Sequence, residues 1–142
     1  MQKRPVRFEP IEHTADAGLK VFGQNLAMLF ENAALGLFDI ITNLGDVSPV
    51  LRRTVNVEAD DREALLVNWL SELNYLSQIH KELYATFIIK EIDENRLTAE
   101  ISGEPVDLQK HEIYTEVKAV TYHQLCIKKT KTGWESRIIF DL

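Results

Sequence analysis

The stretch that decides the fold is DDREALLVNWLSELNYL, residues 60–76. Its apolar positions recur at the i, i+3, i+4 spacing of one helical face. They are Leu65, Leu66, Trp69, Leu70, Leu73 and Leu76. Asp60 followed by Glu63 resembles a capping box in which Asp replaces Ser or Thr. We therefore predict an amphipathic helix over roughly residues 61–80, with its apolar stripe in the core.

The segments on either side of this helix are predicted to be strands. Residues 51–58 alternate between polar and apolar side chains, with Val55 and Val57 on one face. Residues 84–92 and 96–103 flank Asp93-Glu94-Asn95, which is a turn signal. The pattern predicts one strand before the helix and a β-hairpin after it.

A second helix is predicted nearer the N-terminus, from about Gln24, with Asn25 as its N-cap. Its apolar face has the same helical spacing. The residues on it are Leu26, Leu29, Phe30, Ala33, Leu37 and Ile41. Gly36 lies inside this helix, which indicates that another element packs closely there. The segment 43–46, Asn-Leu-Gly-Asp, ends the helix.

The remaining segments predict further strands. Residues 6–10 form a short strand ended by Pro10, residues 11–18 form a loop, and Leu19 and Val21 begin the next strand. Residues 113–128, with a bulge allowed, and 134–141 complete the set. Hairpins outnumber helical crossovers, so we predict an α+β fold in which two main helices pack on largely antiparallel sheets. Residues 1–142 form a single compact domain, with room for a small inserted subdomain.

Composition excludes several classes of protein. The net charge of −6 argues against strong direct binding of nucleic acid, which depends mainly on Lys and Arg. The single cysteine, Cys126, lies between Leu125 and Ile127, and we predict that it is a buried small hydrophobe. No apolar run is long enough to span a membrane, and no hydrophobic signal core follows the N-terminus, so a cytoplasmic location is expected.

The familiar catalytic sequence motifs are absent. There is no phosphate-binding Gly-rich loop and no nucleophile elbow. A zinc site of clustered cysteines is excluded by the single cysteine. The four histidines have no short metal-binding spacing. Any function must therefore come from less conspicuous groups.

Three such groups stand out. The first is residues 13–16, His-Thr-Ala-Asp, which combine a ring nitrogen, a hydroxyl and a carboxylate in a loop. The second is the end of the chain, where Asp141 and the carboxylate of Leu142 suit a hard cation such as Ca²⁺, Mn²⁺ or Mg²⁺. A structural turn and a frayed, solvated terminus are the alternatives for these two groups.

The third group is residues 118–123, Lys-Ala-Val-Thr-Tyr-His. In a regular strand Lys118 and His123 would lie on opposite faces, so they would not serve one site. A β-bulge between them would remove that objection. An ordinary amphipathic strand is the alternative.

These motifs together resemble the archease family. The resemblance rests on residues 13–16, on residues 65–73 of the helix, on residues 118–123 and on the terminal Phe140-Asp141-Leu142. Their order and spacing extend over nearly the whole chain. Two positions depart from the family pattern, Ala17 after the loop Asp and Leu142 at the terminus, and both keep apolar character.

The resemblance implies a protein that activates the GTP- and Mn²⁺-dependent RNA ligase of tRNA splicing and is not itself an enzyme. It implies a divalent-metal site formed by Asp16, Asp141 and Leu142. Lys118, His13 and His123 are implied as functional or partner-contacting residues. A tRNA methyltransferase is a second implied partner, for which the protein would act as a chaperone-like helper.

Two other functions remain open at this stage. The same cluster would suit an independent metal-dependent phosphoester hydrolase, with His111 or His123 as the general base. A plain binding module without metal is the other alternative.

Overall fold

The structure is a computed structural model that describes residues 6–11 and 17–142. Its helices and strands follow the predicted order. They are β1 (Phe8–Ile11), β2 (Ala17–Gly23), α1 (Leu26–Ile41), β3 (Leu51–Glu58), α2 (Arg62–His80), β4 (Glu82–Ile92), β5 (Arg96–Pro105), β6 (Ala119–Thr130) and β7 (Gly133–Asp141). A short 3-10 turn, Leu44–Asp46, follows α1.

The strands form two antiparallel sheets. The four-stranded sheet has the order β1-β2-β7-β6, and the three-stranded sheet has the order β3-β5-β4. Both helices contact strands of both sheets. This arrangement explains why α1 is buried around much of its circumference, since a helix between two layers has little surface left for water. The predicted α+β fold is confirmed.

Each helix begins at a side-chain cap. The Asn25 Oδ1 accepts the Met28 N–H at 2.8 Å, as predicted for α1. In α2 the cap is Asp61, whose Oδ1 accepts the Ala64 N–H at 2.7 Å. The prediction of Asp60 was therefore wrong by one residue. Two consecutive Asp residues offer the same capping group, and the sequence pattern alone does not choose between them.

The two helices are joined through a buried aromatic side chain. The Trp69 indole N–H donates to the Phe30 carbonyl at 2.9 Å, and the Trp69 side chain is completely buried. At Gly36 a Cβ would lie 2.5 Å from Leu19 Cδ1 and 3.3 Å from Phe8 Cγ. The close packing predicted at Gly36 is therefore confirmed: β1 and β2 pack against that turn of α1.

Several predicted strand boundaries were wrong, including the predicted loop 11–18, since β1 extends to Ile11 and β2 begins at Ala17. Pro10 lies inside β1, opposite Leu19, and does not end the strand. β1 is an edge strand, where a missing N–H need not cost a ladder hydrogen bond. The strand predicted over 113–128 starts only at Ala119. Before it, Ile113 forms an isolated bridge with Thr42, and residues 114–118 are irregular.

Cys126 is exposed, so its predicted burial was wrong. Leu125 and Ile127 are half-buried on either side of it. Successive side chains of a strand point to opposite faces, so the apolar neighbours of Cys126 indicate burial of the other face.

Candidate metal and partner site at the C-terminal strand

The end of β7 lies between two other strands. On one side Ala17 of β2 pairs with Phe140, and on the other Ala119 of β6 pairs with Asp141. The Lys118 N–H donates to the Asp141 carbonyl at 2.8 Å. The sheet therefore fixes the backbone of Asp141, while the residue itself is exposed to solvent.

The last residue is anchored as well. Leu142 is half-buried and packs against the hydrophobic core. The alternative of a frayed terminus is therefore wrong, because β-pairing at Asp141 and apolar packing at Leu142 hold the end in place. The Asp141 carboxylate is therefore a candidate ligand group on a fixed backbone.

The loop part of the predicted site, His13 and Asp16, lies outside the described residues. What the structure does describe is the next position, Ala17, where β2 begins. Ala17 pairs with Phe140, the residue before Asp141.

A bulge interrupts β6 close to this end of the sheet. Thr121 pairs with Ile139 and Cys126 pairs with Arg137, so Tyr122–Leu125 lie opposite Ile138 alone. Gln124 has a φ of 55°, in the left-handed region. Side chains therefore do not alternate regularly between the two faces of the sheet here, and the argument that Lys118 and His123 must lie on opposite faces no longer applies.

Two hydrogen bonds hold the start of the bulge. The Thr121 hydroxyl donates to the Ile139 carbonyl at 3.0 Å, and the His123 N–H donates to the Thr121 Oγ1 at 3.3 Å. His123 is exposed, and Tyr122 is 59% exposed. Lys118 is exposed too. The edge of the sheet beside Asp141 therefore presents a cation, an aromatic ring and an imidazole to solvent.

Farther along β7, Glu135 lies between two lysines. Glu135 of β7 accepts Lys20 Nζ at 3.0 Å and Lys128 Nζ at 3.3 Å. The hydrogen bond from Lys20 is the largest cause that lowers the pKa of Glu135, and burial opposes it. Two lysines and one glutamate give this group a net charge of +1, and Asp141 and Lys118 are exposed near the end of β7.

His111 has a structural role. It is only 2% exposed, and its Nδ1 accepts the Asp107 N–H at 3.0 Å. The ring proton is therefore on Nε2, which donates to Glu104 Oε2 at 3.1 Å. Both ring nitrogens are engaged away from solvent, so the suggestion of His111 as a general base at the chain terminus was wrong.

Glu104 is the centre of this second cluster, which the sequence did not reveal. Lys110 Nζ lies 2.7 Å from its Oε2, and the Ser48 N–H donates to the same oxygen at 2.6 Å. The Lys110 hydrogen bond is the largest cause that lowers the pKa of Glu104, to about 2. The cluster ties residues 104–111 to the start of β3.

A third polar cluster was also missed. Arg53 donates to Glu82 through Nε at 2.7 Å and Nη2 at 3.1 Å, and the Tyr84 hydroxyl donates to Glu82 Oε1 at 2.6 Å. The Arg53 hydrogen bond lowers the pKa of Glu82, while burial raises the pKa of Tyr84. Every member has a partner within the three-stranded sheet, so the cluster stabilises that sheet. The alternation of 51–58 gives the one signal, because it places Arg53 on the same face as Val55 and Val57.

The described residues supply only some of the ligands that a hard divalent cation would need. Across residues 6–11 and 17–142, no three His, Cys, Asp or Glu side chains lie close enough to hold a metal ion. The exposed Asp141 carboxylate and the anchored Leu142 supply the oxygen chemistry that Ca²⁺, Mn²⁺ and Mg²⁺ prefer. A complete site needs a further carboxylate. In sequence Asp16 directly precedes Ala17, and Ala17 pairs with Phe140, the residue before Asp141.

Within the part of the chain that the structure describes, no helix is both long and apolar enough to cross a membrane.

Known proteins match this chain along almost its whole length. The model of the Archease protein family (MTH1598/TM1083) matches residues 8–142. The archease of Methanosarcina acetivorans is 39% identical over 146 positions, which cover 100% of both chains. The archease of Thermococcus gammatolerans is 41% identical over 140 positions, which cover 96% of this chain and 99% of the relative.

Two solved structures superpose on nearly the whole of this chain. The solution structure of Methanobacterium thermoautotrophicum protein 1598 superposes with a TM-score of 0.79 at 35% identity, covering 95% of this chain and 98% of that one. A Thermotoga maritima crystal structure, of "an archease, possible chaperone", has a TM-score of 0.66 over 99% and 100% of the two chains. Its identity of 20% makes it a match in fold alone. The family model and the full-length relatives together establish that this chain belongs to the archease family.

Proposed function

We propose that this protein is a non-catalytic activator of the GTP- and Mn²⁺-dependent RNA ligase of tRNA splicing. It would promote guanylylation of the ligase and its repeated turnover. The proposal combines membership of the archease family with the geometry at the end of β7. The observation that carries it is the Asp141 carboxylate, which is exposed on a backbone that two neighbouring strands hold in place.

The proposed metal ligands are Asp16, Asp141 and the oxygen of Leu142. Ala17 and Phe140 support this set, because they are paired and each directly adjoins one of the two aspartates. Successive Cα atoms are about 3.8 Å apart, so this pairing is compatible with one site that uses both carboxylates. A cation bound there would supply concentrated positive charge at an exposed rim, with coordination positions left for water or a partner.

The cationic side chain beside this rim is Lys118. Its N–H bond to the Asp141 carbonyl fixes the start of its side chain next to the proposed metal. An ammonium group can neutralise a phosphate or bond to a carboxylate of the ligase. His13 and His123 are proposed as supporting contacts on the loop and on the bulge. The covalent chemistry belongs to the ligase.

The hydrolase alternative has lost one of its two proposed bases, since both ring nitrogens of His111 are engaged in the interior. Incubation of the purified protein with Mn²⁺ and model phosphoesters tests what remains. Turnover that disappears in Asp141→Asn would establish an enzyme and overturn the activator.

The deciding experiment measures guanylylation and RNA joining over several turnovers by a matched ligase. The wild-type protein should raise both. Asp16→Asn and Asp141→Asn should lose the effect and also lose heat on titration with Mn²⁺ or Ca²⁺. Asp39→Asn, which changes an exposed carboxylate on α1, is the matched control and should behave as wild type.

A ligase whose rate and turnover are the same with and without the wild-type protein would contradict the proposed function. In that case the same variants should be tested for stabilisation of a tRNA methyltransferase against aggregation. A positive result there would support the second partner implied by the family.

A further inference from the structure

One face of the four-stranded sheet points away from the hydrophobic core. Leu19 and Ile138 pair with each other, and both are buried. Successive side chains of a strand point to opposite faces, so the residues next to them in β2 and β7 lie on the outer face. These residues are Lys20 and Arg137, which also pair with each other. The outer face therefore carries two adjacent cations.

The strand register extends this outer face over all four strands. Paired residues of neighbouring antiparallel strands have their side chains on the same side of the sheet. Apart from Asp141 at the end of β7, the charged side chains that the register places there are Arg7, Glu9, Lys20, Lys128, Glu135 and Arg137. We call this surface the basic face, because its cations outnumber its anions.

Charge is divided unequally between this sheet and the rest of the chain. The described segments that form and adjoin the sheet, residues 6–11, 17–23 and 118–142, contain seven Lys or Arg and three Asp or Glu side chains. Residues 24–117 contain seven and seventeen. The net charge of the side chains is therefore +4 in the sheet segments and −10 in the remainder. An anionic partner would be attracted to the sheet and repelled elsewhere.

Ion pairing makes this division sharper. Five of the seven cations in residues 24–117 are paired with a carboxylate, namely Arg52, Arg53, Arg62, Lys90 and Lys110. In the described sheet segments Lys20 and Lys128 are paired, and they share Glu135. Arg7 and Arg137 are exposed and form no ion pair with any residue that the structure describes. Their guanidinium groups are thus available to an anion from outside.

Aromatic rings adjoin these cations. Lys20 Nζ lies 5.7 Å from the centre of the Phe22 ring. At the same end of the sheet, Lys129 Nζ lies 6.0 Å from the centre of the Trp134 ring. Single-stranded nucleic acids bind to surfaces of this kind, where cations follow the phosphates and rings stack on the bases.

Both rings line one hollow of about 1110 Å³. Among the described residues that line it, Arg7 and Glu9 are the charged ones, and their charges cancel. Its uncharged polar side chains are those of Gln24, Asn32, Thr130 and Thr132. A neutral hollow with rings, hydroxyls and amides suits a nucleobase, which stacks and forms hydrogen bonds without a charge.

This combination of groups selects among the possible partners. Unpaired cations alone would suit an acidic protein as well as a phosphate. Cations beside rings and a neutral hollow match both parts of a nucleotide. A symmetric dimer through the basic face would bring two positively charged surfaces together, and a head-to-tail contact with the acidic part of another copy would not close as a dimer.

We propose that the basic face contacts single-stranded RNA, with phosphates on Arg7, Lys20 and Arg137 and a base in the aromatic hollow. This inference rests on the proposed function, because the RNA is the one that the activated ligase joins. Asp141 lies on the same face as Arg137, four residues farther along β7, at about 13 Å. RNA on the basic face would therefore lead towards the proposed metal rim. The contact is weak by itself in this acidic chain and acts while the ligase holds the RNA.

Fluorescence anisotropy with a labelled, unstructured RNA oligonucleotide tests the contact directly. The wild-type protein should bind at low ionic strength, with an affinity that falls as salt is added. Arg7→Gln with Arg137→Gln should weaken this binding about tenfold at low salt. It should also reduce the slope of log K against log salt by about 1.4, which is about 0.7 for each phosphate contact removed.

The matched control is Lys81→Gln with Arg96→Gln. It removes the same charge from two exposed positions outside the sheet that form no ion pair within the described part of the chain. The control should bind RNA as the wild type does, and Arg137→Lys, which keeps the charge, should retain most of the affinity. Circular dichroism and thermal unfolding establish that each variant is folded.

Kinetics with a matched ligase separate this contact from the metal rim. Guanylylation of the ligase does not involve RNA, so the double variant of Arg7 and Arg137 should stimulate it as the wild type does. In the joining reaction the same variant should raise the KM for RNA several-fold and leave kcat unchanged. Asp141→Asn should instead lose the stimulation of guanylylation.

The outcomes distinguish this inference from the proposed function. Equal RNA binding by the double variant and its control would overturn the inference and leave the proposed function intact. A wild-type chain that activates no step of the ligase, yet binds RNA through Arg7 and Arg137, would overturn the proposed function alone.

Two further results would assign the basic face to another partner and so overturn the RNA contact. If the double variant binds the ligase more weakly in the absence of RNA, the face belongs to an acidic surface of the ligase. If sedimentation shows wild-type oligomers that the double variant does not form, it belongs to the acidic part of a second copy.

Discussion

At Glu104 three donors converge on one carboxylate that no sequence motif singles out. Lys110, the Ser48 N–H and the Nε2 of His111 all reach it. Hydrogen bonds to the ionised form favour that form, and this is why the pKa of Glu104 falls to about 2. The charge on Glu104 is therefore part of what holds the segment after β5 against the start of β3.

This arrangement predicts a specific dependence of stability on pH. The pKa of Glu104 is lower in the folded state than its ordinary value of 4.5, so its contribution is complete above that value. It should be lost as pH falls from about 4.5 towards 2. Urea unfolding at several pH values should show wild type more stable than Glu104→Gln at pH 7, with the difference shrinking over that window. A constant difference would contradict the assignment.

Single residues also show where sequence reasoning stops. The helix stripe correctly placed Trp69 in the core because its neighbours repeat with the helical period. The predicted burial of Cys126 was wrong because its two apolar neighbours in sequence lie on the opposite face of the strand. Glu82 and Glu104 were missed because each has one partner in a distant segment, Arg53 and Ser48 respectively, and no local pattern records such a pairing.

Among the elements, the start of α2 has a bridging role. The Arg62 guanidinium carbon lies 4.8 Å from the centre of the Trp134 ring in β7. Its Nη2 also donates to Glu94 at 2.8 Å, in the turn between β4 and β5. One side chain thus links both sheets to the same helix end.

Replacing Arg62 should therefore cost more than replacing an ordinary surface arginine. Arg62→Ala should lower the free energy of unfolding by about 1 kcal/mol, because it removes a cation–π contact and a partly exposed ion pair. Arg52→Ala is the control: the Arg52 side chain is 77% exposed and, among the residues that the structure describes, bonds only to Glu100, at 3.3 Å. Equal losses for the two variants in urea titration would show that the bridge contributes nothing.

The C-terminal end of α2 allows a stabilising change. Lys81 is the C-cap and has a φ of 53°, a left-handed conformation that costs a residue with a Cβ about 1 kcal/mol relative to glycine. Lys81→Gly should therefore raise the midpoint of thermal unfolding. Ser71→Gly, in the exposed middle of the same helix, should lower it by a comparable free energy. A decrease in both variants would refute the interpretation.

At this scale the hydrophobic period predicted both helices and most strands within a few residues. The start of β6 was missed because residues 114–118 carry a strand-like pattern yet bond elsewhere. The Val117 carbonyl accepts from side chains of α2, and the Tyr114 N–H donates to the end of α1. Tertiary hydrogen bonds overrode local preference there.

For the whole molecule, the contact of each helix with both sheets predicts one cooperative unit. Urea unfolding followed by far-ultraviolet circular dichroism should coincide with unfolding followed by fluorescence. The two tryptophans make this test selective, because Trp69 lies between the layers and Trp134 lies in the four-stranded sheet. Trp134→Phe and Trp69→Phe should each give the same midpoint by both methods. Separate transitions would show that one sheet unfolds alone.

The resemblance in sequence identified the family, which full-length relatives confirm. The metal ligands remain a proposal. They come from opposite ends of the chain, and a shared site would require a strand order that the hydrophobic pattern does not encode. Only Asp141 and Leu142 of that set lie in the described ranges.

The position of β7 has a further consequence for how the protein is made. Gly23 pairs with Trp134, so β2 leaves the ribosome long before the strand that it needs. At a typical rate of about 5–20 residues per second, the wait is on the order of ten seconds. During that interval the edge of β2 that later pairs with β7 has no partner strand. Nascent chains of this protein should therefore depend on holding factors until synthesis is complete.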